Sequence, residues 1–165
     1  MLFKIIAGLY LPDAGDVYIR GEKLGDKIDF PDEMGILVDT PGFIEIFSGA
    51  DNLRLLAEIK GRIGRQEITV AMKELGLDPD SKKRVKNYSL GMKQKLGIIQ
   101  ATMEKQTIVL LDEPFNALDK ESNQYLYDLI LRLKHENVTV LLTSHNQMDL
   151  DALCDVQYAV PTFNC

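Results

Sequence analysis

Two carboxylates stand side by side where a buried strand is expected to end. In Ile108-Val109-Leu110-Leu111-Asp112-Glu113-Pro114, an unbroken apolar run stops at Asp112 and Glu113. A strand of an open α/β sheet delivers such residues to its carboxyl edge, where ligands of these folds bind. Side chains alternate along a strand, so the pair points two ways and can divide two tasks. One carboxylate can hold Mg²⁺ through water, because Mg²⁺ keeps much of its hydration shell and needs few protein oxygens. The other can orient a water that attacks phosphorus. The plain alternative is a strand that merely ends in an acidic turn.

Two further elements bear on the choice. Thr143-Ser144-His145 follows a second apolar run, Val138 to Thr143. If that strand lies parallel to the first, His145 stands at the same edge; taken alone it is a surface or capping histidine. Upstream, Asn87-Tyr88-Ser89-Leu90-Gly91-Met92-Lys93-Gln94-Lys95 sets Ser89 and Gly91 at a helix start. Free backbone N–H groups and a hydroxyl there can receive phosphate oxygens. Taken alone, Ser89 is an ordinary N-cap. Ala117-Leu118-Asp119 lies between the two apolar runs.

The elements that must position these residues follow from periodicity. Leu2 to Ala7 predicts a short helix closed by Gly8, and Pro12 to Gly15 a turn before a strand over Asp16 to Gly21. Met34 to Val38 predicts a strand entering the loop Asp39-Thr40-Pro41-Gly42. From Gly49 to Thr102 the pattern is helical: Leu53, Leu56, Ala57 and Lys60 mark one helix, and Val70, Met72, Leu75 and Leu77 a second. After a basic stretch from Asp78 to Asn87, a third helix runs from Leu90 to Met103 with Leu96, Ile99 and Met103 on one face. The last third alternates: strand Thr107–Leu111, helix Lys120–Glu136, strand Val138–Thr143, helix Asn146–Cys154, and a final strand Val156–Val160. Apolar strands joined by amphipathic helices predict a parallel sheet covered on both faces, with the mid-chain helices as an insertion.

Composition excludes several classes. The 165 residues suffice for one domain, and 45% apolar with 27% charged residues marks a folded chain. A net charge of −6 argues against a nucleic-acid partner, whose phosphates demand a basic surface. No apolar run reaches the roughly 18 residues of a membrane span, and the opening residues do not read as a signal peptide. Cys154 and Cys165 have neither metal-ligand nor disulfide-framework spacing, which places the chain in the cytosol.

In order and type, Tyr88 to Lys95, Leu110 to Pro114, Ala117 to Asp119 and Ser144-His145 resemble the signature motif, Walker B motif, D-loop and switch histidine of ABC (ATP-binding cassette) ATPases. Ile6 to Val17 is similar to the segment after that family's P-loop helix, and Gly35 to Phe43 to its Q-loop. The resemblance implies a P-loop NTPase (RecA-like) fold of the α/β class. Its parallel-sheet core would span 1–43 and 105–160, with a helical signature subdomain at about 44–104. It also implies that the sequence starts just after the P-loop and lacks the strands before it, as from a gene model begun at an internal Met rather than by evolved loss.

For the intact protein the resemblance implies ATP and Mg²⁺ as cofactors. Asp112 would hold the metal's water shell, Glu113 would be the general base, and His145 would contact the γ-phosphate. Asp39, in place of the usual glutamine, would approach metal and water. Ser89 and Gly91 would close on the ATP of a second cassette arranged head to tail, with Asp119 coupling the sites. Leu90 and Met92 depart from the family's Ser-Gly-Gly-Gln, and the tail Pro161–Cys165 does not resemble its usual continuation. The partners implied are transmembrane permease subunits, at the inner face of the cell membrane. The short interval between Asp39 and Ser89 fits no long coiled coil, and one acidic cassette does not suit the translation-associated relatives. The loop Asp39 to Phe43 favours an exporter of the drug or antimicrobial-peptide type. For the 165 residues by themselves, the expectation is an interaction module with negligible ATP affinity.

Overall fold

The computed structural model describes residues 1–26, 31, 33–39 and 41–160. Thr40 and the tail Pro161–Cys165, with Cys165, lie outside the described residues.

Three parallel strands carry the fold: β3 (Met34–Leu37), β4 (Ile108–Leu111) and β5 (Thr139–Leu142), in the order β3-β4-β5. Ahead of them come a short helix α1 (Leu2–Ile6) and a hairpin of β1 (Tyr18–Ile19) and β2 (Glu22–Lys23). The expected strand over Asp16 to Gly21 is cut short, because Arg20 (φ 54°) and Gly21 (φ 82°) both turn left-handed and fold the chain back on itself.

Between β3 and β4 lie α2 (Gly49–Lys60), α3 (Arg65–Glu74), a 3₁₀ turn (Val85–Asn87) and α4 (Leu90–Thr102). Ser48 caps α2 by accepting from Asp51 N–H at 3.1 Å, and Gly61 closes it in the left-handed region. On α3 the buried stripe runs through Ile68, Met72 and Leu75. Val70 was expected to join it but is 50% exposed, since it falls between the i, i+4 and i+7 positions that share a face. β4 leads through α5 (Lys120–His135) to β5, and α6 (Gln147–Leu153) ends the order.

β4 is buried on both faces. Val109 and Leu111 join the large core with Leu96, Ile98, Ile99, Leu126 and Ile130, whereas Leu110 packs with Phe3 and Ala7 of α1. That division is the alternation of a strand between two helical layers. The large core continues into Leu53, Ile68, Met72 and Leu77, so the mid-chain helices and the sheet share one apolar interior.

The final strand expected over Val156–Val160 is absent. Val156, Tyr158 and Val160 are 64%, 86% and 61% exposed, and no strand edge among the described residues pairs with them. An alternating sequence without an edge to join stays irregular.

Candidate functional site

Register brings the chemistry together. Leu37, Leu111 and Leu142 share one rung of the sheet. The ladder runs one residue further: Asp112 N–H donates to Leu37 O at 2.8 Å, and Thr143 N–H to Leu111 O at 3.0 Å. Asp112 and Thr143 therefore leave the sheet side by side, with Glu113 and Ser144 next and His145 one step beyond.

Thr143 clamps the two carboxylate-bearing residues. Its hydroxyl donates to Asp112 Oδ1 at 2.6 Å and accepts from Glu113 N–H at 2.9 Å. Asp112 Oδ2 is left without a hydrogen bond among the described residues. Glu113 turns toward β5, where its Oε2 accepts from His145 N–H at 3.3 Å and its Oε1 lies 3.3 Å from His145 Nε2. The imidazole is 91% exposed and Glu113 only 24%. Asp112 and Glu113 thus take different partners, Asp112 the Thr143 hydroxyl and Glu113, past the end of β4, His145.

Three residues around this edge carry backbone strain. Asp39 (φ 56°), Glu113 (φ 48°) and Ala117 (φ 60°) are non-glycine residues in the left-handed region. Each such residue costs of order 1–3 kcal/mol and persists where the surroundings impose it. Asp39 follows β3 and pairs with Lys4 of α1. Its hydrogen bond to the ammonium, with further attraction from Asp112, holds the Lys4 pKa above the ordinary lysine value. Asp39 is joined to Lys4 rather than hydrogen-bonded to Asp112 or Glu113.

The N-terminus of α4 docks on the β4–α5 loop. Ser89 caps α4, its Oγ accepting from Met92 N–H at 3.2 Å, and both Ser89 and Leu90 are exposed. Gln94 Nε2 donates to Glu113 O at 3.2 Å and Pro114 O at 3.1 Å. Lys95 Nζ donates to Asp119 Oδ2 at 2.7 Å, while Oδ1 accepts from Ser122 N–H and caps α5. The Lys95 ammonium, ahead of the Ser122 bonds, holds the Asp119 carboxyl far below the usual carboxylate range. A Cβ on Gly91 would lie 2.5 Å from Ala117 O, so only glycine permits this approach. Gly91→Ala is expected to cost about 1–3 kcal/mol through overpacking. Urea unfolding checks this against Leu90→Ala at an exposed position; equal midpoints for the two would contradict it.

The structure therefore gathers Asp112, Glu113 and His145, and joins Gly91 and Asp119 to the same loop. Ser89 makes no hydrogen bond to that trio. Sequence reasoning assigned no role to Lys4, Gln94, Lys95 or Thr143. Only Thr143 had a readable signal, since its place one residue past a strand follows from the register. Among the described residues no group of three His, Cys, Asp or Glu side chains gathers as a metal cage. A hydrated Mg²⁺ fits this site, because it needs one or two carboxylates with a free oxygen rather than an all-protein shell.

The model of the ABC transporter family matches residues 1–116. The chain belongs to the ABC transporter family. It is similar to the ABC transporter ATP-binding protein YybJ of Bacillus subtilis (strain 168), at 35% identity over 94% of this chain and 72% of that protein. It is also similar to the bacitracin transport ATP-binding protein BcrA of Enterococcus faecalis, at 32% identity over 93% of this chain and 50% of the relative. Among solved structures, the dimeric, post-hydrolysis ATP-binding cassette MJ0796 bound to ADP and Pi superposes with a TM-score of 0.78. That likeness has 21% identity and covers 92% of this chain and 71% of that one; it shows the P-loop NTPase fold. The ABC chain thus spans between half and three quarters of the proteins it matches.

Proposed function

We propose that the protein is the ATP-hydrolysing subunit of an ABC transporter, an exporter of the drug or antimicrobial-peptide type. The observation that carries this reading is Glu113 set against His145, one residue beyond an Asp112 whose Oδ2 has no hydrogen-bond donor among the described residues. Glu113 takes the proton of the attacking water, and His145 meets the γ-phosphate. Asp112 holds Mg²⁺ through water, with Asp39 close to metal and water when Lys4 releases it. When bound, Mg²⁺ supplies neutralisation of charge on the phosphate oxygens.

Ser89 lies exposed at the α4 start with Gly91 half-buried beside it, and neither hydrogen-bonds the Glu113 side chain of its own chain. That arrangement supports closure on the ATP of a second, head-to-tail cassette, with Asp119 coupling the two sites. The dimeric state of the MJ0796 cassette and the bacitracin transport role of BcrA support the same reading. In this reading 1–43 and 105–160 form the core and about 44–104 the signature subdomain, packed on it through one apolar interior. Ile44, Ile46 and Phe47 before α2, and Ile59 on it, are exposed apolar side chains that suit docking to transmembrane permease subunits. No described helix is long and apolar enough to cross a membrane; the proposed membrane role runs through such a partner, at the cytoplasmic face.

A second reading, an interaction module without turnover, is favoured by one observation: residues 1–165 contain no Gly-x-Gly-Lys-Ser/Thr sequence to cradle phosphates. The test is phosphate release from Mg-ATP by the 165 residues, and by the same residues joined to a phosphate-binding loop. Release by the joined protein alone is the expected result. If it releases no phosphate, the hydrolase reading fails.

A further inference from the structure

The His145 ring is almost fully exposed, and Glu113 is its one charged contact. What aims it must be the backbone turn between β5 and α6. Beside that turn opens a cavity of about 250 Å³, lined by Glu113, Asn116, Tyr127, His145 and Asp149 among others. Apart from the Glu113 bond to His145 N–H at 3.3 Å, the turn is held by one carboxylate.

Asp149, on the first turn of α6, is 7% exposed and accepts three hydrogen bonds. Ser144 Oγ donates to Oδ2 at 2.8 Å, Asn146 Nδ2 donates to Oδ1 at 3.1 Å, and the Tyr127 hydroxyl of α5 donates to the same Oδ1. Ser144 Oγ also accepts from Asn146 N–H at 3.1 Å, which closes a ring of bonds around the backbone of His145. Tyr127 is fixed in turn by Phe115 of the β4–α5 loop, their ring centroids 4.9 Å apart. Burial first, then the bond to Asp149, pushes the Tyr127 hydroxyl up to about 12, so it stays a donor throughout the neutral range. A buried carboxylate with both oxygens bonded is rigid, and removing it orphans three donors at once.

We propose that Asp149 is the positioning residue of the His145 turn, with Tyr127 as its anchor on α5. It grips the residues on either side of His145 and so aims the imidazole at Glu113. The inference deepens the reading of Glu113 and His145 as the pair around the γ-phosphate and rests on it for its purpose.

The test uses the 165-residue protein with ¹³C-labelled histidine and no nucleotide. Its outcome is therefore separate from that of any hydrolysis assay. The chain has two histidines, so His135 at the end of α5 serves as the internal reference. Glu113→Gln is expected to displace the His145 ring resonances in the otherwise unchanged protein. That displacement is expected to vanish in an Asp149→Asn background and to shrink in Tyr127→Phe, with His135 unmoved in all. If Asp149→Asn unfolds the chain, Tyr127→Phe, which removes one oxygen, decides. An undiminished displacement of His145 in the folded variants would overturn the assignment. A residue that merely stabilises the fold would leave the Glu113-dependent signal intact.

Discussion

Glu113→Gln is expected to lower ATP turnover by about 10²- to 10⁴-fold, the usual worth of a positioned general base. This applies to a cassette in which these residues are joined to a phosphate-binding loop. The substitution keeps the side-chain volume and the oxygen that His145 N–H approaches at 3.3 Å. It removes the negative charge beside His145 and the capacity to accept a proton, because an amide is not a base near neutral pH. Nucleotide binding is therefore expected to survive. Comparison of steady-state phosphate release with ATP retention by equilibrium dialysis separates the two effects. Asp112→Asn would act differently, weakening the metal-dependent part of binding by removing the negative charge and replacing one carboxylate oxygen with an amide nitrogen that cannot accept. Full turnover in the Gln variant would take Glu113 out of the role of base.

The largest effect on stability is expected at Gly35, far from any chemistry. A Cβ there would lie 1.7 Å from Ala101 O and 2.7 Å from Ala101 C. Both atoms belong to the backbone of α4, so no side chain can swing aside. Helix α4 would have to lift from β3, and with it Ile98, Ile99 and Leu96, which are fully buried against the sheet. Gly35→Ala is expected to cost about 3 kcal/mol or more, the upper end of overpacking. Against a total stability of about 5–15 kcal/mol this leaves a marginal protein. Gly42→Ala is the control: no atom lies within 4 Å of its added carbon and its φ is ordinary. Its change is expected within about 0.5 kcal/mol. Chemical unfolding monitored by circular dichroism measures both, and similar midpoints would contradict the packing of α4 on β3.

The same contact explains what the sequence could and could not reveal. β4, β5 and α5 were readable because an unbroken apolar run and a clear helical stripe each admit few alternatives. Gly35 reads as a weak point in a strand until the closeness of α4 is known, and Gly97 likewise, whose added carbon would meet Leu37 and Pro41 at 2.7 Å. The alternation over Val156–Val160 was legible as a pattern, but pattern alone does not supply a neighbouring strand edge. In the site, Asp112, Glu113 and His145 could be placed at one edge because parallel strands fix their ends. Lys4 could not be matched to Asp39, since nothing local links a helix residue to a loop beyond three intervening strands. Asp149 reads as an ordinary acid in the first turn of a helix, where it complements the dipole. Only the fold shows that both its oxygens are spent on the turn that carries His145.

The central claim is that one triphosphate is enclosed by Asp112, Glu113 and His145 of one molecule and by Ser89 and Gly91 of another. The most direct measurement is the mass in solution of the Glu113→Gln cassette, joined to its phosphate-binding loop, with Mg-ATP and then with Mg-ADP. The account predicts a dimer with ATP that dissociates with ADP, and its loss when Ser89→Arg fills the facing surface. A monomer under both nucleotides, or a dimer indifferent to Ser89→Arg, would contradict it.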